Sequence, residues 1–64
     1  MVNLYKTAIF TEKLTGKVIY RLSTKPLNKY FWEKRKLEIL DWLVKEKFYS
    51  KHEIKIQDYG LHAQ

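Results

Sequence analysis

The chain contains no cysteine, and in a polypeptide of 64 residues that absence settles what can hold a fold together. Disulfides and thiolate metal sites are excluded, while a domain this small buries only about 60% of the surface its unfolded chain exposes. Packed apolar side chains have to suffice. Hydrophobic residues make up 45% of the chain and aromatic residues 16%, well above a disordered segment, and two glycines with one proline leave little for a linker. One compact domain over residues 1–64 is therefore expected, with 60–64 as a frayed tail. Apolar runs such as Ala8-Ile9-Phe10 and Trp42-Leu43-Val44 reach three residues, whereas a membrane-spanning helix needs about 20 and a secretory leader about 7–15. Neither is expected, and a cysteine-free chain suits the reducing cytoplasm.

Two stretches rich in Tyr, Ile, Val, Phe and Thr, Val2 to Glu12 and Lys17 to Ser23, flank Lys13-Leu14-Thr15-Gly16. That pattern predicts a β-hairpin, with Gly16 at a position of positive φ that a Cβ would disfavour. A three-residue turn closed by Lys13 and Lys17 sets Phe10 opposite Tyr20, Ala8 opposite Leu22, Ile9 opposite Arg21, Thr11 opposite Ile19 and Glu12 opposite Val18. One face then carries Leu4, Ala8, Phe10, Val18, Tyr20 and Leu22, with Lys6 snorkelling outward along its stem. The other carries Tyr5, Thr7, Ile9, Thr11, Ile19, Arg21 and Ser23.

Pro26 ends the second strand, Asn28 is placed to cap, and Tyr30 to Phe48 follows a helical period. Trp32, Leu37, Ile39, Leu40, Leu43, Val44 and Phe48 share one half of the wheel, predicted to pack on the sheet. Lys34, Glu38, Asp41 and Lys45 form a charge-balanced arc opposite. His52 to Tyr59 alternates as a strand, although Ser50 and Glu53 also match a capping box that would open a second helix. The fold class read from this order is α+β: a small β-β-α-β domain whose three-stranded sheet, in order 3-1-2, has one helix packed on one face.

Thirteen Lys and Arg against seven Asp and Glu give a net charge of +6, of which helix residues 29–47 hold +2. The excess lies with the sheet and its connections. An uncovered sheet face carrying Lys13, Lys17, Arg21 and Lys55 with Tyr5 and Tyr59 offers cations to phosphates and flat rings to bases, the means by which several single-strand binders work. These six are the candidate nucleic-acid-binding residues. The alternative is a protein-interaction module, a homodimer or a small inhibitor or accessory factor, with Ile9, Ile19 and Trp42 as interface candidates. The plainest reading is that Thr, Tyr and Lys are ordinary strand formers on an exposed face. The balanced helix arc argues against lipid binding, and no membrane or small-molecule partner is expected. His52 and His62 lack the spacing of a metal site, and Ser50 with His52 has no third group to orient it. No catalytic set, metal or cofactor is expected, which leaves a non-enzymatic binding module.

Overall fold

The computed structural model describes residues 4–63. Val2 and Asn3, expected in the first strand, lie outside the described residues. The elements run β1 (Leu4–Glu12), β2 (Val18–Thr24), α1 (Lys29–Glu46), a single 3₁₀ turn (Lys51–Glu53) and β3 (Ile54–Ala63). The sheet order is β2-β1-β3 with both pairings antiparallel, and α1 lies in the connection from β2 to β3. That is the small α+β fold expected. Ser50 and Glu53 open only the 3₁₀ turn before β3, and no Ser50 side-chain cap bond forms. Residues 60–63, expected in a frayed tail, are the last four of β3 and each pairs with β1, while Gln64 lies outside the described residues.

The hairpin keeps the expected partners Ala8–Leu22, Ile9–Arg21 and Phe10–Tyr20, then departs from them. Its closing pair is Glu12 with Lys17: the Glu12 N–H donates to the Lys17 carbonyl at 2.8 Å, and the Gly16 N–H to the Glu12 carbonyl at 2.7 Å. The loop is therefore one residue longer than predicted. The Thr15 hydroxyl holds it by donating to Glu12 Oε1 at 2.9 Å, and Gly16 takes the positive φ of 73°. A bulge absorbs the offset: Thr11 pairs with Val18, leaving Ile19 as the extra residue. Val18 thus leaves the apolar face and is 55% exposed, while Ile19 packs against the core.

Asn28 caps α1 as its sequence position predicts, Oδ1 accepting from the Phe31 N–H at 3.0 Å. Trp32, Ile39, Leu40 and Leu43 of the helix meet Ala8, Phe10, Leu22 and Ile54 of the sheet in one buried cluster, with Tyr20, Val44, Tyr49 and Ile56 around it. Leu37, predicted in this face, is exposed. Three strands spaced about 4.8 Å apart make a sheet scarcely wider than one helix, so only a stripe of the apolar half-wheel can be covered. Phe48 also falls outside the core. It follows the helix cap, adopts φ 61°, and turns the chain so that the Tyr49 N–H bonds back to the Leu43 carbonyl at 3.2 Å. Lys6 does not snorkel into water but is half-buried, its ammonium 5.6 Å from the Trp32 ring centre.

Leu43 and Phe10 are the largest fully buried side chains. Leu43→Ala is expected to cost about 3–5 kcal/mol by leaving a cavity, whereas Leu37→Ala should change stability by less than about 1 kcal/mol. Thermal or urea unfolding of the two variants distinguishes these; equal losses would mean a different helix phase.

Candidate functional site

No element of the described chain covers the face of the sheet opposite α1. The register builds this face in rows. His62 pairs with Tyr5, Gly60 and Ser23 flank Thr7, Gln57 and Arg21 flank Ile9, and Lys55 and Val18 flank Thr11. Thr7, Ile9, Arg21, Tyr59 and His62 line a shallow groove of about 440 Å³ at its centre. Thr7 forms the floor: it is 3% exposed, its hydroxyl 2.6 Å from His62 Nε2 and 3.4 Å from the Ser23 hydroxyl. Ile9 supplies apolar wall, Arg21 a cation and Tyr59 an exposed ring.

Of the six candidate nucleic-acid-binding residues, five stand on or at the end of this face. Arg21 and Tyr59 line the groove, Tyr5 is half-buried beside His62, and Lys55 lies one row beyond Ile9. Lys13 sits past the end of β1, its N–H bonded to the Glu53 carbonyl at 2.8 Å. Lys17 leaves the face. The longer loop sets it opposite Glu12, whose alternation is that of Ala8 and Phe10, so it stands on the helix side of the sheet. The interface candidates are likewise divided. Ile9 is in the groove, Ile19 packs toward the core, and Trp42 is on the helix flank, 41% exposed and edge-on to Tyr20 at 5.8 Å.

His62 reaches the groove because β3 carries a second bulge. Thr7 pairs with Gly60 and Ala8 with Asp58, leaving Tyr59 as the extra residue. From there onward the alternation shifts by one, so Leu61 joins the helix side and His62 the open face. Gly60 takes the bulge's positive φ of 67°. A lone glycine within a strand pattern was the available signal.

Asp58 holds this bulge. Its Oδ1 accepts from the Gly60 N–H at 2.8 Å, and its Oδ2 accepts from the Trp32 indole N–H at 2.8 Å and from the Lys36 ammonium at 2.9 Å. Lys36 also donates to Glu33 at 3.0 Å and lies 5.6 Å from the Trp32 ring centre. Burial pushes the Asp58 carboxyl up, but the hydrogen bonds from Lys36, Trp32 and Gly60, with the Lys36 charge, outweigh it and hold the pKa below the usual 3.8. For Lys36, burial lowers the pKa, and its bonds to Asp58 and Glu33 with their charges carry it above the usual 10.5. Among the described residues no group of three His, Asp or Glu side chains gathers as a metal site. No helix of the described residues is long and apolar enough to cross a membrane.

Comparison of the chain with protein-family models, with curated proteins and with solved structures finds no match.

Because unfolded Asp58 binds its proton at a higher pH than folded Asp58, its stabilising effect is complete above the ordinary carboxylate range. It is lost as pH falls through the lowered folded value. Lys36 gives the mirror case, its contribution complete below 10.5 and lost as pH rises through the raised folded value. Asp58→Asn should therefore lower stability at neutral pH by about 1 kcal/mol, a small figure because water reaches a third of the side chain. Urea unfolding along a pH series downward from 7 checks this: the variant and parent should differ at pH 7, and the gap should narrow as pH falls below the ordinary carboxylate range. A constant gap would place the loss elsewhere.

Proposed function

We propose that the protein is a non-enzymatic nucleic-acid-binding module that takes a single strand across its open sheet face. The observation that carries this reading is the groove itself, where one cation, one exposed ring and a buried hydroxyl converge on a face left uncovered in a chain of net charge +6. Arg21 and Lys55 hold phosphates from opposite sides of β1, and Lys13 extends their path toward the loop. Tyr59 and Tyr5 lie against bases, whose unstacked faces accept any flat ring. Lys17, on the other side of the sheet, takes no part. The absence of cysteine supports the cytoplasm as the working compartment.

A second reading, a protein-interaction module, has one observation in its favour. Trp42 stays 41% exposed beside a shallow cavity of about 280 Å³ lined also by Tyr20, Arg35, Glu38 and Ile39, the kind of aromatic position that anchors an interface. It requires a homodimer or a protein target on the helix flank.

Fluorescence anisotropy of labelled single-stranded DNA and RNA across salt concentrations separates the two. Three phosphate contacts predict that log affinity falls with log salt at a slope of about −2, and Arg21→Ala or Lys55→Ala should each flatten it by about 0.7. Tyr59→Ala should weaken binding by about 1–3 kcal/mol with the slope unchanged. Lys45→Ala, at a lysine paired with Asp41 at 3.1 Å on the helix, is the control. Equal losses from Lys45→Ala and Arg21→Ala, or no binding at low salt, would remove this reading; Trp42-dependent self-association in sedimentation would then favour the second.

A further inference from the structure

The end of the molecule where β1 turns into β2 carries two side chains that the fold does not use. Leu14, in the loop, is 93% exposed, and Phe48, just past α1, is 90% exposed, more than any other large apolar side chain of the described residues. The topology brings them to one end. α1 starts beyond the far end of β2 and runs back toward the loop, and the bond from the Lys13 N–H to the Glu53 carbonyl ties the two connections together. Phe48 is also the one non-glycine among the described residues with left-handed backbone. There its Cβ crowds the following carbonyl, a strain that glycine escapes, and the exposed ring gains no packing in exchange. The backbone uses the left-handed turn, through the Tyr49 N–H bond to the Leu43 carbonyl, while the ring itself is left to solvent.

The surroundings of the two side chains identify what would receive them. Lys13 and Lys17 follow the chain on either side of Leu14, Lys47 and Lys51 on either side of Phe48, and all four are exposed. Residues 12–17 and 45–55 together hold six lysines against three glutamates, half of the net +6 in about a quarter of the chain. A nucleic-acid strand would engage the lysines and leave Leu14 in water. A bilayer interface takes aliphatic and aromatic side chains alike, without matching pockets, while its anionic headgroups attract the lysines.

We propose that this end docks on an anionic lipid surface, Leu14 and Phe48 entering the interface and Lys13, Lys17, Lys47 and Lys51 resting among the headgroups. The contact is end-on, so the charge-balanced polar arc of α1 stays in water. It shares Lys13 with the sheet-face reading, but neither apolar side chain lines the groove, so loss of Leu14 and Phe48 leaves that site intact.

Flotation of the full chain with vesicles tests it, using phosphatidylcholine alone or with about one third phosphatidylserine, at ~0.1 M and ~0.5 M salt. The parent should bind the serine-containing vesicles about tenfold or more tightly than the neutral ones, and lose most of that preference at the higher salt. Leu14→Ser and Phe48→Gly should each weaken binding about tenfold and together abolish it. Phe48→Gly relieves the left-handed backbone, so circular dichroism should show an intact fold. Leu61→Ser, at a half-exposed leucine toward the far end of the sheet, should leave binding unchanged. Equal binding by parent and double variant would mean general attraction to the net charge and overturn the proposal. So would absence of binding to serine-containing vesicles, or a double variant that keeps vesicle binding and loses affinity for nucleic acid instead.

Discussion

A single carboxylate, Asp58, accepts from the helix and from its own strand at once, and the arrangement of β3 depends on it. One oxygen takes the Trp32 indole and the Lys36 ammonium, the other takes the Gly60 N–H beside the bulge. Helix and last strand are thereby joined where the strand changes alternation. Trp32 is buried with the ammonium groups of Lys6 and Lys36 each 5.6 Å from its ring centre, so charged side chains complete the core around it. A domain of this size has few apolar contacts to spare, and a charge-assisted hydrogen bond set is a means of fixing geometry where packing cannot.

The same constraint shapes the open face. With one helix for three strands, only one side of the sheet is covered, and the bulge decides which residues of β3 stand on the other. It turns Tyr59 and His62 toward Thr7 and sends Leu61 back toward the helix. The groove exists because the strand is interrupted, and the interruption is held by a residue that does not line it. Arg21 and Lys55 come to the same face by plain alternation, which no bulge disturbs at their rows.

That difference explains what could be read from the sequence. Strand order, the hairpin partners Ala8–Leu22 and Phe10–Tyr20, the cap at Asn28 and the apolar stripe of Trp32, Leu40 and Leu43 follow from period and turn chemistry. So do the places of Arg21, Lys55 and Tyr5. Lys17, Ile19 and His62 do not, since each depends on a one-residue bulge that alternation alone does not place. Thr15 closing on Glu12 lengthens the loop and moves Lys17 to the other face. Asp58 was visible only as one carboxylate among seven acidic residues, because its partners lie 22 and 26 positions away. Leu37 fits the helical period and is still exposed, for the width of the sheet and not the wheel limits what the helix can bury, while Phe48 fits the period but lies beyond the helix cap.

The dependence of the open face on Asp58 is open to direct observation by NMR. In the parent, nuclear Overhauser contacts from the Thr7 methyl to the His62 ring should be present, together with contacts between the Phe10 and Tyr20 rings, whose centres are 6.0 Å apart. In Asp58→Ala the Phe10–Tyr20 contacts should persist, since the hairpin and its core are untouched, while the contacts from Thr7 to His62 disappear as the bulge is released. Retention of the Thr7–His62 contacts in Asp58→Ala, at full intensity in a folded protein, would contradict the role assigned to this carboxylate.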